Sequence, residues 1–308
     1  MTAHPPATPV GAPPAPRFVE VGAHQLAVIV HHAERLPQEP EPLVFVHGLS
    51  MSVRFWERAM LAPIRHQPWV SVSLPLHFPS TYLGEDVDAA DLSGRALADL
   101  LAGVLRAVVG ERPVRLVGHS VGAMQALAFA TYYPELCAGV FSVGGFTSGR
   151  AEGLEGGLRL LAHGRPLTRP IFRGVWRLKQ RSRAFTEAVV LQYAADREAV
   201  RAYGPFEPTL DLVHPDMARH DLDALFRLMV ALLEVELLPD AQAIACPVWA
   251  VAGTLDPIVA YEHQVWYARM LPTATLHPVE GAGHLPFAER PQIFEDLLLR
   301  FAATPRSA

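Results

Sequence analysis

At 308 residues, half of them hydrophobic and 19% charged, the chain has a globular composition and is long enough to bury a large core. A formal net charge of −5 lacks the basic excess of a dedicated nucleic-acid binder, so no nucleic-acid partner is expected. Two cysteines, Cys137 and Cys246, are too few for a disulfide framework, and no apolar run reaches the roughly 20 residues of a membrane span.

Residues 1–16 are rich in Pro and Ala and lack both a basic n-region and an apolar h-region. They read as a disordered tail rather than a signal peptide, which makes a cytoplasmic location the expectation. Next comes a hairpin, Arg17–Val21 and Gln25–His31, turning at Gly22-Ala23. Short apolar runs follow at Leu43–Val46, Val70–Leu74, Val114–Val117 and Gly139–Val143, with helical periodicity over Leu92–Val109 and Val121–Tyr133. The alternation resumes with a strand Val248–Ala252, a helix Glu262–Met270, a strand Ala274–Val279 and a closing helix from Pro291 to Phe301. Buried strands alternating with helices predict a mostly parallel sheet of about eight strands covered on both faces. Residues 144–243 interrupt this pattern with amphipathic stretches at Ile171–Leu178, Ala184–Tyr203 and Leu222–Leu237 and no convincing strand. The expected organisation is a core over 17–143 and 244–303, an inserted helical cap over 144–243, and a short tail at 304–308.

Within the cap, Thr168-Arg169-Pro170 reads as a helix start with Pro170 in the first turn. Ile171, Val175 and Leu178 then share one face, Phe172 and Trp176 lie beside them, and Arg173, Arg177 and Arg181 form a basic stripe. This reads as a packed helix with a solvated charged face; the sharper reading is that Phe172 and Trp176 roof a pocket. Lys179 is the only lysine of the chain, and the excess of arginine reads as coding bias.

Three segments carry chemistry. The strand Val114–Val117 runs into Gly118-His119-Ser120-Val121-Gly122 and then into a helix. Small residues flank the serine because the strand-to-helix turn is tight, and the helix start aims N–H groups at the reaction centre. A serine hydroxyl needs a base, itself held in one tautomer by a third group. Asp256 follows the strand Val248–Ala252 and His284 follows Ala274–Val279, both on loops at the carboxyl edge that also carries Ser120. Singly, each segment has an ordinary structural explanation: a strand–helix turn, a turn aspartate before Pro257, a loop histidine. Together, in the order Ser, Asp, His on three strand ends, they point to a nucleophile, an orienting acid and a general base. Fourteen histidines yield no His-x-His or His-Glu-x-x-His spacing, and Cys-x-x-Cys is absent, so no metal is expected. The Gly153–Gly157 stretch follows no strand and is not a nucleotide loop, so no cofactor is expected either.

On these motifs the chain resembles the α/β-hydrolase-fold serine hydrolases that carry a cap, over about residues 17–143 and 244–303. The resemblance implies an α/β-hydrolase fold, hydrolysis through an acyl-enzyme, and catalytic Ser120, Asp256 and His284. His47-Gly48 matches the family's oxyanion segment, which places the oxyanion-hole N–H groups on Leu49 and Val121. Ser73–Ser80 aligns with the family's Asp-Leu-Pro-Gly-His-Gly-x-Ser stretch, except that Ser73, Leu76 and Phe78 replace the Asp and both glycines. His47, Gly48, His77, Phe78, His119, Phe172 and Trp176 are the candidate pocket residues, the three histidines as wall or structural groups. A small or medium, partly apolar carboxylic ester is the favoured substrate, with lactones and thioesters close behind. The alternatives are a haloperoxidase-like, perhydrolytic or carbon–carbon hydrolase chemistry on the same fold, or a non-catalytic ligand-binding homologue.

Overall fold

A computed structural model of the protein describes residues 14–59, 64, 66–149 and 165–304. The tail expected over 1–16 lies almost wholly outside them, as does the Gly153–Gly157 stretch. Strands β1 (Arg17–Val21) and β2 (His24–His31) form the antiparallel hairpin. The strands β3 (Leu43–Val46), β4 (Trp69–Val72), β6 (Val114–His119) and β7 (Cys137–Val143) are buried along their whole length. Unbroken burial is why they read as apolar runs rather than alternating ones: both faces of a parallel sheet are covered. With β8 (Val248–Gly253) and β9 (Ala274–Val279) the sheet runs β1-β2-β4-β3-β6-β7-β8-β9, parallel from β4 to β9. A two-residue strand β5 (Thr81–Tyr82) pairs beside β2, so the sheet has nine strands where eight are expected. The extra one is too short to carry a periodic signal.

Helices complete the two layers. Gly94–Val109 starts at Ser93, whose hydroxyl accepts the N–H of Ala96 at 3.2 Å, so the expected start at Leu92 falls on a preceding 3₁₀ turn. Val121–Tyr132 is buried nearly all round, which suits a helix wedged between the sheet and its neighbours. Its polar exceptions are tied by their donors: Gln125 Nε2 donates to Leu97 O and Thr131 Oγ1 to Leu127 O, both at 2.8 Å. Two apolar clusters result, one on each face of the sheet.

Between β7 and β8 come helices Arg165–Arg181, Arg183–Val190, Arg197–Ala202, Phe206–Met217 and Leu222–Leu232. The expected stretch Ala184–Tyr203 is two helices joined through a 3₁₀ turn. Phe206–Met217 has no counterpart in the sequence reading, because Pro205, Pro208 and Pro215 hide it. Pro208 falls in its first turn, where proline is least disruptive, whereas Pro215 lies inside the helix near its C-terminal end and removes one backbone N–H donor. In Arg165–Arg181, Pro170 is interior rather than first-turn, and the orientation departs from expectation. Ile171, Val175 and Leu178 face solvent, Ile171 being 60% exposed, whereas Phe172 and Lys179 are each 4% exposed. Among the described residues no helix is long and apolar enough to cross a membrane.

Phe301, on the closing helix Pro291–Ala302, is fully buried and packs on Phe141 at 5.3 Å and Trp249 at 5.9 Å between ring centroids. Truncation there leaves a cavity that close-packed neighbours fill only in part. Phe301→Ala is expected to lower unfolding free energy by about 3–5 kcal/mol, read from urea denaturation; a loss below about 1 kcal/mol would mean the closing helix is loosely docked.

Candidate active site

Strand β6 delivers Ser120 into the first turn of the helix Val121–Tyr132, with φ +55° and ψ −118°. A non-glycine residue adopts this region only under constraint, and the neighbours supply it. A Cβ on Gly118 would come within 2.5 Å of the backbone of Ala123, and one on Gly122 within 2.5 Å of the carbonyl oxygens of Val46 and His47. Only glycine permits these approaches. The Ser120 N–H donates to Val143 O at 2.8 Å, fixing the turn against β7.

Asp256, beyond β8, and His284, beyond β9, meet at the same edge. His284 Nδ1 donates to Asp256 Oδ2 at 2.8 Å, both side chains being essentially buried. Asp256 Oδ1 accepts the N–H groups of Ile258 at 2.8 Å and Val259 at 3.0 Å, and Oδ2 also accepts Gln264 Nε2 at 3.2 Å. The carboxylate is therefore locked in place by four donors. With Nδ1 engaged, Nε2 is the nitrogen His284 has left for the cavity whose wall it shares with Ser120. Gly144 closes the arrangement from behind: at φ +55°, a Cβ there would lie 2.9 Å from the His284 ring.

That cavity also brings together Gly48, Leu49, His119, Val121 and Trp176. Phe55, Phe206, Leu210, Val213 and Met229 make most of the remaining wall apolar. His47, His77, Phe78 and Phe172, expected at the pocket, are not on its wall. Phe172 packs against Phe226 at 5.2 Å, and Phe78 lies under the guanidinium of Arg219 on a separate surface depression. His47 and His77 stand one layer back, where they hold the loop that forms the wall. His47 Nδ1 donates to Gly48 O at 2.8 Å and its Nε2 accepts Leu74 N–H at 3.1 Å. His77 Nδ1 donates to Pro75 O at 2.9 Å while Nε2 accepts Ser50 N–H at 2.8 Å. His220, from the helical segment, accepts Phe78 N–H at 2.9 Å and donates to Met51 O at 3.0 Å. His119 Nε2 donates to the carbonyl of His284 at 2.9 Å. Each ring that accepts at one nitrogen must be neutral. Burial, the largest cause in all four, lowers His47 and His119 to about 3 and His220 to about 4, and holds His77 well below its ordinary value.

Leu76, singled out in the sequence as replacing a family glycine, sits at φ +63°, a backbone region that favours glycine. Two residues escape the sequence reading. Gly144 carries no signal beyond ending a strand. Glu289 is 3% exposed, and its carboxylate accepts the N–H groups of Gly283, Leu285, Ala195 and Asp196 at 2.9–3.1 Å. It ties the His284 loop to the helical segment. Among the described residues no group of His, Cys, Asp and Glu could hold a metal ion.

A model of the alpha/beta hydrolase family matches residues 43–297. An uncharacterized protein of Mycobacterium tuberculosis is 26% identical over 310 residues, covering 96% of this chain and 84% of its own length. Among solved structures, an enol-lactonase from Burkholderia xenovorans aligns with a TM-score of 0.70 at 16% identity, over 94% of this chain and 100% of its own. An esterase from Rhodococcus aligns with a TM-score of 0.68 at 20% identity, over 94% and 98%. At these identities the two structures share the fold with this chain.

The neutral histidines make stability pH-dependent. Their ordinary value is 6.5, so the unfolded chain binds protons below that pH, while the folded chain refuses them down to about 3–4. The folded pKa is depressed, so stability is whole above about 6.5 and lost as pH falls; each ring contributes up to about 1.4 kcal/mol per pH unit. Glu57, raised by burial to about 7 from 4.5, and Asp216, also raised by burial, oppose this over their own intervals, but His24, His31, His263 and His277 are lowered by burial as well and add to the four. Urea denaturation at pH 7.5, 6 and 5 should show unfolding free energy dropping steadily below pH 6.5. A flat profile across that window would mean the rings are charged in the folded protein.

Proposed function

We propose that this chain, which belongs to the alpha/beta hydrolase family, is a serine hydrolase that cleaves a carboxylic ester through an acyl-enzyme, with Ser120 as nucleophile. The observation that carries the reading is the 2.8 Å bond between His284 Nδ1 and a carboxylate already held by three other donors, in a cavity shared with Ser120. An orienting acid with no freedom to move fixes the tautomer that leaves Nε2 as the base. A binding module has no use for that precision.

In this mechanism Ser120 Oγ attacks the carbonyl carbon as His284 Nε2 takes its proton, and Asp256 stabilises the imidazolium. The oxyanion is met by the N–H groups of Leu49 and Val121. The latter is the first residue of a helix, where an N–H has no intrahelical acceptor and the helix dipole favours negative charge. Collapse of the tetrahedral intermediate returns the proton to the leaving alkoxide, and water then repeats the sequence to release the acid. Residues 144–243 act as the cap, bringing Trp176, Phe206, Leu210, Val213 and Met229 over the site. This apolar enclosure favours a substrate with a hydrocarbon portion and strengthens each dipole aimed at the reacting carbonyl. A thioester or lactone would use the same steps.

The test is a fluorophosphonate probe followed by peptide mapping, alongside turnover of p-nitrophenyl esters, lactones and thioesters. The label should land on Ser120. Ser120→Ala should lose turnover by several orders of magnitude and Asp256→Asn by about 10⁴-fold, with both variants folded. A label on another residue, or Asp256→Asn within about tenfold of wild type, would require a different nucleophile or acid.

A further inference from the structure

The helix Arg165–Arg181 offers an apolar stripe, Ile171, Val175 and Leu178, and turns it to solvent. Inward, at i, i+4 and i+7, it presents Phe172, Trp176 and Lys179. Burying a lysine instead of an available leucine face runs against the hydrophobic driving force of folding, because an ammonium loses its hydration. Lys179 is the only lysine in the chain and is 4% exposed. Its Nζ donates to Ser50 Oγ at 3.1 Å and stands 4.1 Å from the centre of the Trp176 ring. Among the described residues no carboxylate pairs with it, and burial lowers the ammonium to about 8. His214 is bonded to the Lys179 carbonyl at 3.0 Å, and the Lys179 charge acts on neutral His220; neither is an anion.

Ser50 and Trp176 both line the active-site cavity. Ser50 follows Leu49 directly, and its backbone is held at φ +60° by the bond to His77. Since Ser50 Oγ accepts from Lys179, its own O–H is aimed elsewhere, and among the described residues no acceptor takes it. The wall thus carries a polarised hydroxyl backed by an unneutralised cation, in a cavity whose lining is mostly apolar apart from Ser120, His284 and a few other polar side chains.

We propose that Ser50 and Lys179 form an anion subsite beside the oxyanion loop, and that the substrate carries a carboxylate which accepts the Ser50 hydroxyl proton and neutralises Lys179. A single cation with one hydroxyl suits a monoanion; a phosphate dianion would call for more donors. The substrate class is then a carboxylate-bearing ester, such as the half-ester of a dicarboxylic acid. The ester part of that class rests on the serine-hydrolase reading above, whereas the subsite itself does not.

The experiment compares the p-nitrophenyl half-ester of glutaric acid with its ω-methyl ester, the same chain without the charge, on wild type, Lys179→Met and Ser50→Ala. In parallel, monomethyl glutarate and its amide are titrated by calorimetry into the Ser120→Ala protein with and without Lys179→Met. Wild type should prefer the charged ester, and the charged-to-neutral ratio of kcat/KM should fall at least tenfold in both variants. Monomethyl glutarate should bind at least tenfold more weakly once Lys179 is replaced. Equal losses on both esters would make Lys179 a support for the Ser50 loop and overturn the subsite, as would an unchanged ratio. If Lys179→Met does not fold, Ser50→Ala carries the same comparison. If wild type hydrolyses neither ester, the hydrolase reading falls and calorimetry alone decides the subsite: discrimination between acid and amide that is lost without Lys179 upholds it, and no discrimination ends it.

Discussion

The first turn of the helix Val121–Tyr132 lies directly on the strands β3 and β6, backbone against backbone, with room for no side chain at Gly118 or Gly122. The position of Ser120 follows from that contact. Once the helix is pressed this close, the chain between strand and helix can only pass through a left-handed residue, and the side chain there is thrown clear of the sheet edge. The same contact brings Val46 and His47 beneath the helix start, so the loop that follows β3 is carried to the serine by the fold itself. Serine is costly in that conformation and its neighbours cannot relax, which is how a packing constraint preorganises the hydroxyl that the proposed mechanism uses as nucleophile.

Around this contact the protein uses neutral imidazoles where other designs would use water. His47, His77 and His220 each donate at one nitrogen and accept at the other, joining three loops in a chain of edge-to-face rings with centroids 5.1 and 5.2 Å apart. Backbone groups of loops cannot pair with one another as strands do, and a buried unpaired N–H costs about 1–3 kcal/mol. A histidine in a fixed tautomer satisfies one donor and one acceptor at once, and this explains why so many of the chain's histidines are buried yet so few could act as bases. His284 is set apart by its partner: its Nδ1 faces a carboxylate rather than a peptide carbonyl.

How much of this the sequence discloses depends on whether the determinant is local. Ser120, Asp256 and His284 are legible because each follows a strand, and parallel strands deliver their ends to one edge whatever lies between them. The fold class is legible for the same reason: β3, β6 and β7 are buried on both faces and advertise it as unbroken apolar runs. Tertiary choices leave no such mark. The sequence of the helix Arg165–Arg181 ranks Ile171, Val175 and Leu178 as its inner face by every local measure, and the structure buries Lys179 instead. Prolines at 205, 208 and 215 read as breaks, yet Pro205 precedes the helix Phe206–Met217, Pro208 falls in its first turn, and only Pro215 lies inside it. Glu289 looks like any surface glutamate until the loops at 195–196 and 283–285 converge on it.

That convergence bears on what the helical segment between β7 and β8 is for. The N–H of His284 donates to Tyr193 O at 2.8 Å, and Glu289 binds the N–H groups of Ala195 and Asp196 with the same carboxylate that binds Gly283 and Leu285. A segment that swung away as a lid would strip the His284 loop of these bonds and leave a buried carboxylate half-satisfied, a cost of several kcal/mol for each opening. The turn at 191–196 is therefore a fixed part of the mounting of His284. His220 adds a second fixed point, spanning Met51 O and Phe78 N–H, and Lys179 a third on Ser50. With the segment anchored on both sides of the cavity, the shape over Ser120 is set before any substrate arrives. In the proposed reaction, discrimination then comes from fit to a standing, mostly apolar wall in which the Ser50 hydroxyl is one of a few polar groups.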